Sequence, residues 1–534
     1  MSALRDAAAS GRIGLFDLAN FVISTGRSAS SPVLPQARWY FQDETIALAR
    51  DPASVAGVDV RVGAMDDVAA WFRATPAPAR AEPPPLIWIG APEIVRGARL
   101  NADALELRGA HGRIGLRFVP RLASNRSWID ASTLAFLEAR TLTLRGDFAD
   151  GNFVARTIWP DDCRLDAGTA RSGRIPASMR DIADLVADSP EGARSRFDAQ
   201  CLWERTPGER AWRGKSVLAL MLNGAQGDDD EAHGGHFALV TGRMEDDGAI
   251  GDWMVNNFYT LDVTSEKGII AAPVPLDSYL GDLNSGQAWY RPSWIMVAVL
   301  SDERAAATIQ SALGRVYNHF YRHQLVYDHA TMNCAGISVD TLRALGWPVA
   351  RKGATNQTLA IAGLPWYALR DASLAKAART YDYLTEDRTR LFPAIAFEAI
   401  GADLLACARR ARVNANAPPP ATAPLLSMLS HDIDALAFLR IPQLPSSRAW
   451  GAAPAATAWE YDARVPKDPA KVQIVPVSPR PFPAHLLDRD VRPPPRSRGS
   501  KALVAWGAAM VIGALGLASI WHVRRHRRRT DSSK

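Results

Sequence analysis

A cysteine and a histidine in this sequence have the settings that thiol chemistry needs. Cys334 is predicted to open a helix over 333–345, with Asn333 as the N-cap and the sequence Gly-Trp-Pro as its stop. The N–H groups and the dipole of a helix start stabilise negative charge, which favours a thiolate there. His236 begins the strand HFALVTG directly after two glycines that allow close approach, so its imidazole is suited to act as the base.

A polar residue on the neighbouring strand usually orients an imidazole that works with a thiol. The segment DWMVNNFYTLD follows the histidine strand and supplies three candidates, Asp252, Asn256 and Asn257. Successive residues of a strand face opposite ways, so Asn256 and Asn257 cannot both face His236.

A histidine strand of this form, followed about 100 residues later by Asn-Cys opening a helix, resembles the circularly permuted papain-like hydrolases. That group includes the relatives of lecithin:retinol acyltransferase and is related to the NlpC peptidoglycan endopeptidases, in which the cysteine comes first. The resemblance covers 216–348. It implies that Cys334 is the nucleophile and His236 the general base, and that the third polar residue lies on the strand after the histidine strand.

The loop MEDDGAIG makes the gap to that next strand longer than is usual in the family. The family pattern therefore leaves the third residue open. By its place in the strand, Asn256 is the first choice, with Asn257 and Asp252 behind it.

The resemblance also implies a reaction. Cys334 attacks an acyl carbon, a covalent acyl-enzyme forms, and the acyl group passes to water or to an acceptor amine or hydroxyl. N–H groups at the helix start would hold part of the oxyanion. The expected function is a membrane-anchored thiol-dependent hydrolase or acyltransferase acting on an amide, ester or thioester. It needs neither cofactor nor metal, and its substrate is an unidentified protein, peptide or lipid.

Two other functions fit the sequence. One is a papain-like fold that has lost its activity and serves as a binding module tethered to the membrane. The other is a histidine-based metal hydrolase, because His319 and His323 are one helical turn apart and the acidic run 228–231 could add oxygen ligands. Arg291, just before the last strand, is predicted to be a surface residue in preference to a ligand for a substrate carboxylate.

The composition narrows the class of protein. With 534 residues, 47% of them hydrophobic and 22% charged, the chain is neither wholly disordered nor a multi-span membrane protein. The net charge of +6 lies entirely in the tail after residue 500, and no basic run or nucleic-acid motif precedes it, so we expect no nucleic-acid partner.

The other three cysteines are not placed as Cys334 is, at a predicted helix start, and we expect them to be structural: Cys163, Cys201 and Cys407.

An uncharged segment near the C-terminus has the length of a membrane span. Residues 502–521 contain no charge, and a basic tail follows at once. Because the start of the chain lacks the apolar stretch of a secretion signal, we expect a single-pass, tail-anchored membrane protein whose main body faces the cytoplasm. The lipid bilayer would then be a partner, and the spacing of Ala505, Ala509 and Gly513 would allow a homodimer through the helix.

The predicted fold class is α+β. It combines a permuted papain-like core, in which helices pack on an antiparallel sheet, with a β-rich N-terminal region and one C-terminal transmembrane helix. Core strands are predicted at 216–222, 236–241, 253–259 and 294–300. In chain order, the predicted domains are a mixed N-terminal region (1–75), a β-rich accessory region (86–165), the papain-like core (216–348), a helical extension (349–417), a Pro-rich stalk (418–500), the transmembrane helix (502–521) and a basic tail (522–534).

Overall fold

A computed structural model describes much of the chain between residues 11 and 464. The segments within that span that it does not describe are 26–34, 42–43, 76–80, 110–111, 120–128, 174, 177–180, 182–183, 187–195, 225–233, 262–269, 284–290, 414–422 and 447–454.

The N-terminal part contains two small sheets and, after them, a closed barrel of five strands. The small sheets are formed by β1 (Arg12–Ile13) with β2 (Phe16–Asp17), and by β3 (Phe21–Thr25), β4 (Thr45–Ala49) and β5 (Ile87–Gly90). The accompanying helices are α1 (Pro35–Tyr40) and α2 (Ala64–Ala74). The barrel is formed by β6 (Glu93–Asn101), β7 (Glu106–Gly109), β8 (Gly112–Phe118), β9 (Thr141–Ala149) and β10 (Asn152–Pro160), and α3 (Ala131–Glu138) packs beside it.

The candidate site lies on a larger sheet, in which eight strands are described in the order β11-β12-β18-β17-β13-β14-β15-β16. In chain order these strands are β11 (Arg171–Ser172), β12 (Asp198–Glu204), β13 (Ser216–Asn223), β14 (His236–Arg243), β15 (Met254–Asn256), β16 (Pro273–Pro275), β17 (Ser293–Leu300) and β18 (Ile433–Ile441). The helices that follow the barrel are α4 (Leu276–Gly281), α5 (Arg304–Tyr321), α6 (Cys334–Ala344), α7 (Gln357–Arg370), α8 (Leu374–Thr385), α9 (Arg388–Leu391), α10 (Pro393–Val413), α11 (Pro424–Asp432) and α12 (Ala458–Arg464).

The central strands are apolar on both faces because helices cover the sheet. Every residue of β13 and β17 is buried, and β14 is buried except for its last residue. Helix α5 places an apolar stripe in the core, formed by Ile309, Leu313, Val316 and Phe320 at helical spacing. The predicted strands 216–222, 236–241 and 294–300 are confirmed within two residues, whereas the strand predicted at 253–259 is limited to Met254–Asn256.

The predicted stalk begins too early. Strand β18 lies within 418–500, yet it pairs antiparallel with β17 on one side and β12 on the other. Its sequence IDALAFLRI is a buried apolar run, and the prolines on which the stalk was based are concentrated after it. The predicted stalk of 418–500 therefore includes an interior strand of the core sheet.

The predicted fold class needs a correction at its C-terminal helix. Among the residues that the structure describes, no helix combines the length and the apolar character needed to cross a bilayer. The predicted span, 502–521, lies outside them. The predictions of a membrane location, of a bilayer partner and of a homodimer through that helix all rest on this segment and remain sequence predictions.

Buried ion pairs join the barrel to the sheet. Arg145 of β9 is 2% exposed and donates from Nε to Asp277 of α4 at 2.6 Å and from Nη2 to Asp252 at 2.8 Å. Arg156 of β10 makes a second link, to Asp282 just after α4, at 2.9 Å. These pairs hold α4 against the barrel, and α4 in turn contacts the sheet near the candidate site.

The substitution Arg145→Gln should lower the free energy of unfolding by about 3–5 kcal/mol, because it leaves the buried carboxylate of Asp277 without its cation and removes one of the two arginines that pair with Asp252. The matched control is Arg117→Gln, which breaks the exposed barrel pair with Asp150 and should cost at most about 1 kcal/mol. Urea unfolding of both variants measures the difference. Equal losses would show that the buried junction contributes no more than a surface pair.

Candidate functional site

The cysteine helix begins where the sequence predicts. Asn333 is the N-cap of α6, and its side-chain oxygen accepts the N–H of Gly336 at 2.9 Å. The Asn333 amide also donates to the carbonyl oxygens of His329 and Leu391, at 3.1 and 2.9 Å. The first turn of α6 is thus fixed on both sides, with Cys334 as its first residue.

The Cys334 sulfur lies against the start of β14. The backbone N–H groups of Phe237 and Ala335 and the hydroxyl of Tyr327 are close enough to lower the pKa of the thiol by hydrogen bonding. Burial acts more strongly in the opposite direction, because Cys334 is 4% exposed, and it holds the pKa above its usual value. The sulfur is therefore surrounded by donors that favour a thiolate but is protonated at rest.

His236 is adjacent in sequence to Phe237, whose N–H approaches that sulfur. Gly235 precedes it with a φ of 70°, in the left-handed region that favours glycine, which explains why this turn into the strand needs one. The imidazole is 4% exposed. Burial and the charge of Arg291 lower its pKa to about 3, while hydrogen bonding with Asn257 acts against them. His236 is thus neutral at physiological pH and can accept a proton.

Asn257 is the polar side chain that acts on the imidazole. Nε2 of His236 and Oδ1 of Asn257 are both buried, and neither has a partner at full hydrogen-bond geometry among the described residues. Asn257 nevertheless raises the pKa of His236 through hydrogen bonding, so the two groups are near neighbours. The amide nitrogen of Asn257 is already held by the carbonyl of Ile270.

The structure does not bring Asn256 to the histidine. Asn256 lies opposite Leu239 in the β14–β15 register, and its amide nitrogen donates to the carbonyl oxygen of Leu239 at 3.2 Å and to Gln310 of α5 at 3.1 Å. Asp252 ion-pairs with the two barrel arginines, Arg96 and Arg145. Of the three residues weighed from the sequence, Asn257 is the one beside His236.

The two histidines of the predicted metal site, His319 and His323, bind different partners. Both ring nitrogens of His319 are hydrogen-bonded, Nδ1 to Gln324 at 2.6 Å and Nε2 to Asp67 at 3.1 Å. His323 is bonded instead to the hydroxyl of Tyr40. Within the described residues, no group of three or more His, Cys, Asp or Glu side chains could hold a metal ion. The acidic run 228–231 lies outside the described residues.

Three residues that the sequence did not assign to the site surround it. Tyr327 contacts the thiol, and its ring lies 4.9 Å from that of His329, measured between centroids. The Tyr279 ring centroid is 6.3 Å from that of His236. Arg291, predicted at the surface, is 4% exposed. Neither tyrosine carries a sequence pattern of its own: Tyr327 lies in the loop between α5 and α6, and Tyr279 lies in α4.

No protein-family model, curated protein or solved structure matches this chain. The resemblance to permuted papain-like hydrolases accordingly stays a prediction.

The pKa of His236 makes stability depend on pH. In the unfolded chain the imidazole takes up a proton below about 6.5, whereas in the folded chain it does so only near 3. Its contribution to stability is therefore complete above pH 6.5 and is lost as the pH falls toward 3. Between pH 7.5 and 5.0 the wild type should lose about 2 kcal/mol more unfolding free energy than His236→Gln, as measured by urea titration. Parallel losses in the two proteins would contradict the buried neutral imidazole.

Proposed function

We propose that this protein is a thiol-dependent hydrolase or acyltransferase that acts on an amide, ester or thioester. One observation carries the proposal: the Cys334 sulfur lies at a helix start against the N–H of the residue that follows His236, and the buried imidazole of that histidine neighbours Asn257. Nucleophile, base and orienting amide are the three parts that thiol acyl transfer needs.

In the proposed reaction, His236 takes the thiol proton as the Cys334 sulfur attacks the acyl carbon. The tetrahedral oxyanion is held by N–H groups of the first turn of α6. The bond to the leaving group then breaks, His236 returns the proton to that group, and a thioester on Cys334 remains. Water or an acceptor hydroxyl or amine gives its proton to His236, attacks the thioester and releases the thiol.

The resting state expected for this site is a neutral pair. Burial raises the pKa of Cys334 and lowers that of His236, so a thiolate and an imidazolium do not coexist before substrate binds. Proton transfer then accompanies attack, and the nearby N–H donors stabilise charge on the sulfur and on the oxyanion as it develops.

Alkylation with iodoacetamide near neutral pH tests the proposal. All four thiols are buried with raised pKa values, but Cys334 lies at a helix start among hydrogen-bond donors and near His236, so we expect it to react about tenfold or more faster than Cys163, Cys201 or Cys407. Mass spectrometry of digested protein gives the rate at each site. Labelling of all four cysteines at the same rate would overturn the proposal.

The two neighbouring asparagines provide a matched pair for the same assay. Asn257→Ala should slow alkylation of Cys334 by about tenfold, because His236 loses the group that orients it. Asn256→Ala should cost about 1–2 kcal/mol of stability through its lost hydrogen bonds to Leu239 and Gln310, and should leave the rate within about twofold. A slower rate in Asn256→Ala than in Asn257→Ala would reverse the assignment.

A further inference from the structure

Helices α7 and α8 form a hairpin that buries only the side on which they meet. Ala360 and Leu364 of α7 lie in one apolar cluster with Ala377 and Tyr381 of α8. The turn 371–373 joins the two helices. Among the described elements, α8 is the one that α7 packs against most extensively, so the opposite side of α7 faces solvent.

That solvent-facing side is apolar. From residue 359 to residue 369, α7 reads LAIAGLPWYAL and contains no charged side chain. Five of its residues are exposed on the side away from α8 although each is apolar: Ile361, Ala362, Pro365, Trp366 and Leu369. A helix that is apolar all round is normally buried all round. The outer face of α7 therefore has the composition of a buried surface.

Large exposed apolar side chains are concentrated on this hairpin. Of the eleven that the described residues contain, five lie here: Leu359, Ile361, Trp366, Leu369 and Leu374. The most exposed are Leu369, at 82%, and Leu374, at 64%, and they stand on either side of the turn. Single exposed apolar residues are ordinary, but a group on one unit marks a surface that contacts an apolar partner.

The charges of the hairpin indicate which partner this is. All three of its basic residues are exposed: Arg370, Lys376 and Arg379. Its two acidic residues, Asp371 and Asp382, are only partly exposed, and Asp371 pairs with Arg370 at 2.7 Å. An apolar surface bordered by exposed basic side chains complements a bilayer with anionic headgroups, which offers an apolar interior beneath a negative surface.

We propose that the α7–α8 hairpin is a contact site for a membrane surface that contains anionic lipid. Leu369 and Leu374 at the turn enter the boundary of the hydrocarbon region, and Trp366, one helical turn earlier, lies at the interface. Lys376 and Arg379 extend their charged ends to the headgroups. The inference rests neither on the segment 502–521 nor on the proposed thiol chemistry, so it can fail or hold independently of both.

Hydrogen exchange of the full chain, followed by mass spectrometry of its peptides, tests the contact. Vesicles of phosphatidylcholine and phosphatidylserine should slow exchange over 357–379 by about fivefold or more and leave the barrel strands unchanged. Vesicles of phosphatidylcholine alone should slow it less. An unchanged rate with both vesicles would overturn the proposal, as would slowing that depends on protein concentration without vesicles, which would indicate a second copy as the partner. Equal slowing by both vesicles would overturn the preference for anionic lipid.

Variants with matched controls assign the effect to these side chains. Leu369→Glu combined with Leu374→Glu should abolish the slowing and, because both side chains are exposed, should keep the far-UV circular dichroism of the wild type. Leu105→Glu, which changes a 40% exposed leucine in a barrel turn, should leave the slowing intact. Lys376→Glu combined with Arg379→Glu should remove the difference between the two vesicles. Slowing that persists in the double leucine variant would overturn the proposal.

Discussion

The candidate site depends on the docking of the first turn of α6 against the first residues of β14. That contact places the Cys334 sulfur at the backbone N–H of Phe237, the residue that follows His236. It is maintained from both sides: Asn333 ties the helix start to the carbonyls of His329 and Leu391, and β14 is an interior strand paired with β13 and β15. Cys334 and His236 are about 100 residues apart in the sequence, and this contact is what brings their segments together.

Burial decides the electrostatics of this contact. Removing the thiol and the imidazole from water raises one pKa and lowers the other, so both groups rest uncharged. The donors around the sulfur and the neighbouring Asn257 act in the opposite direction. In the proposed reaction, these groups would stabilise charge that develops only in the transition state.

Local sequence patterns predict the helix and the strands on which the candidate site lies. Asn333 and the Gly-Trp-Pro stop predict a helix over 333–345, and the structure has Cys334–Ala344 with Asn333 as its cap. Apolar runs predict β13, β14 and β17.

The choice between Asn256 and Asn257 needed the register of the β14–β15 pairing, because it depends on which face of β15 meets α5. The burial of Arg291 needed the tertiary fold, since a strand entry is often at the surface. Strand β18 lies between the prolines at 418–424 and those that follow residue 441, so proline content alone does not distinguish it from the predicted stalk.

Trapping of an acyl-enzyme would show whether Cys334 carries the acyl group. The folded protein is mixed with p-nitrophenyl acetate, the reaction is stopped with acid, and the peptides are analysed by mass spectrometry. The account predicts one acetyl group on the peptide that contains Cys334, absent from Cys334→Ala and reduced in His236→Ala. An acetyl group found on another cysteine, or none on Cys334 while the protein is folded, would contradict it.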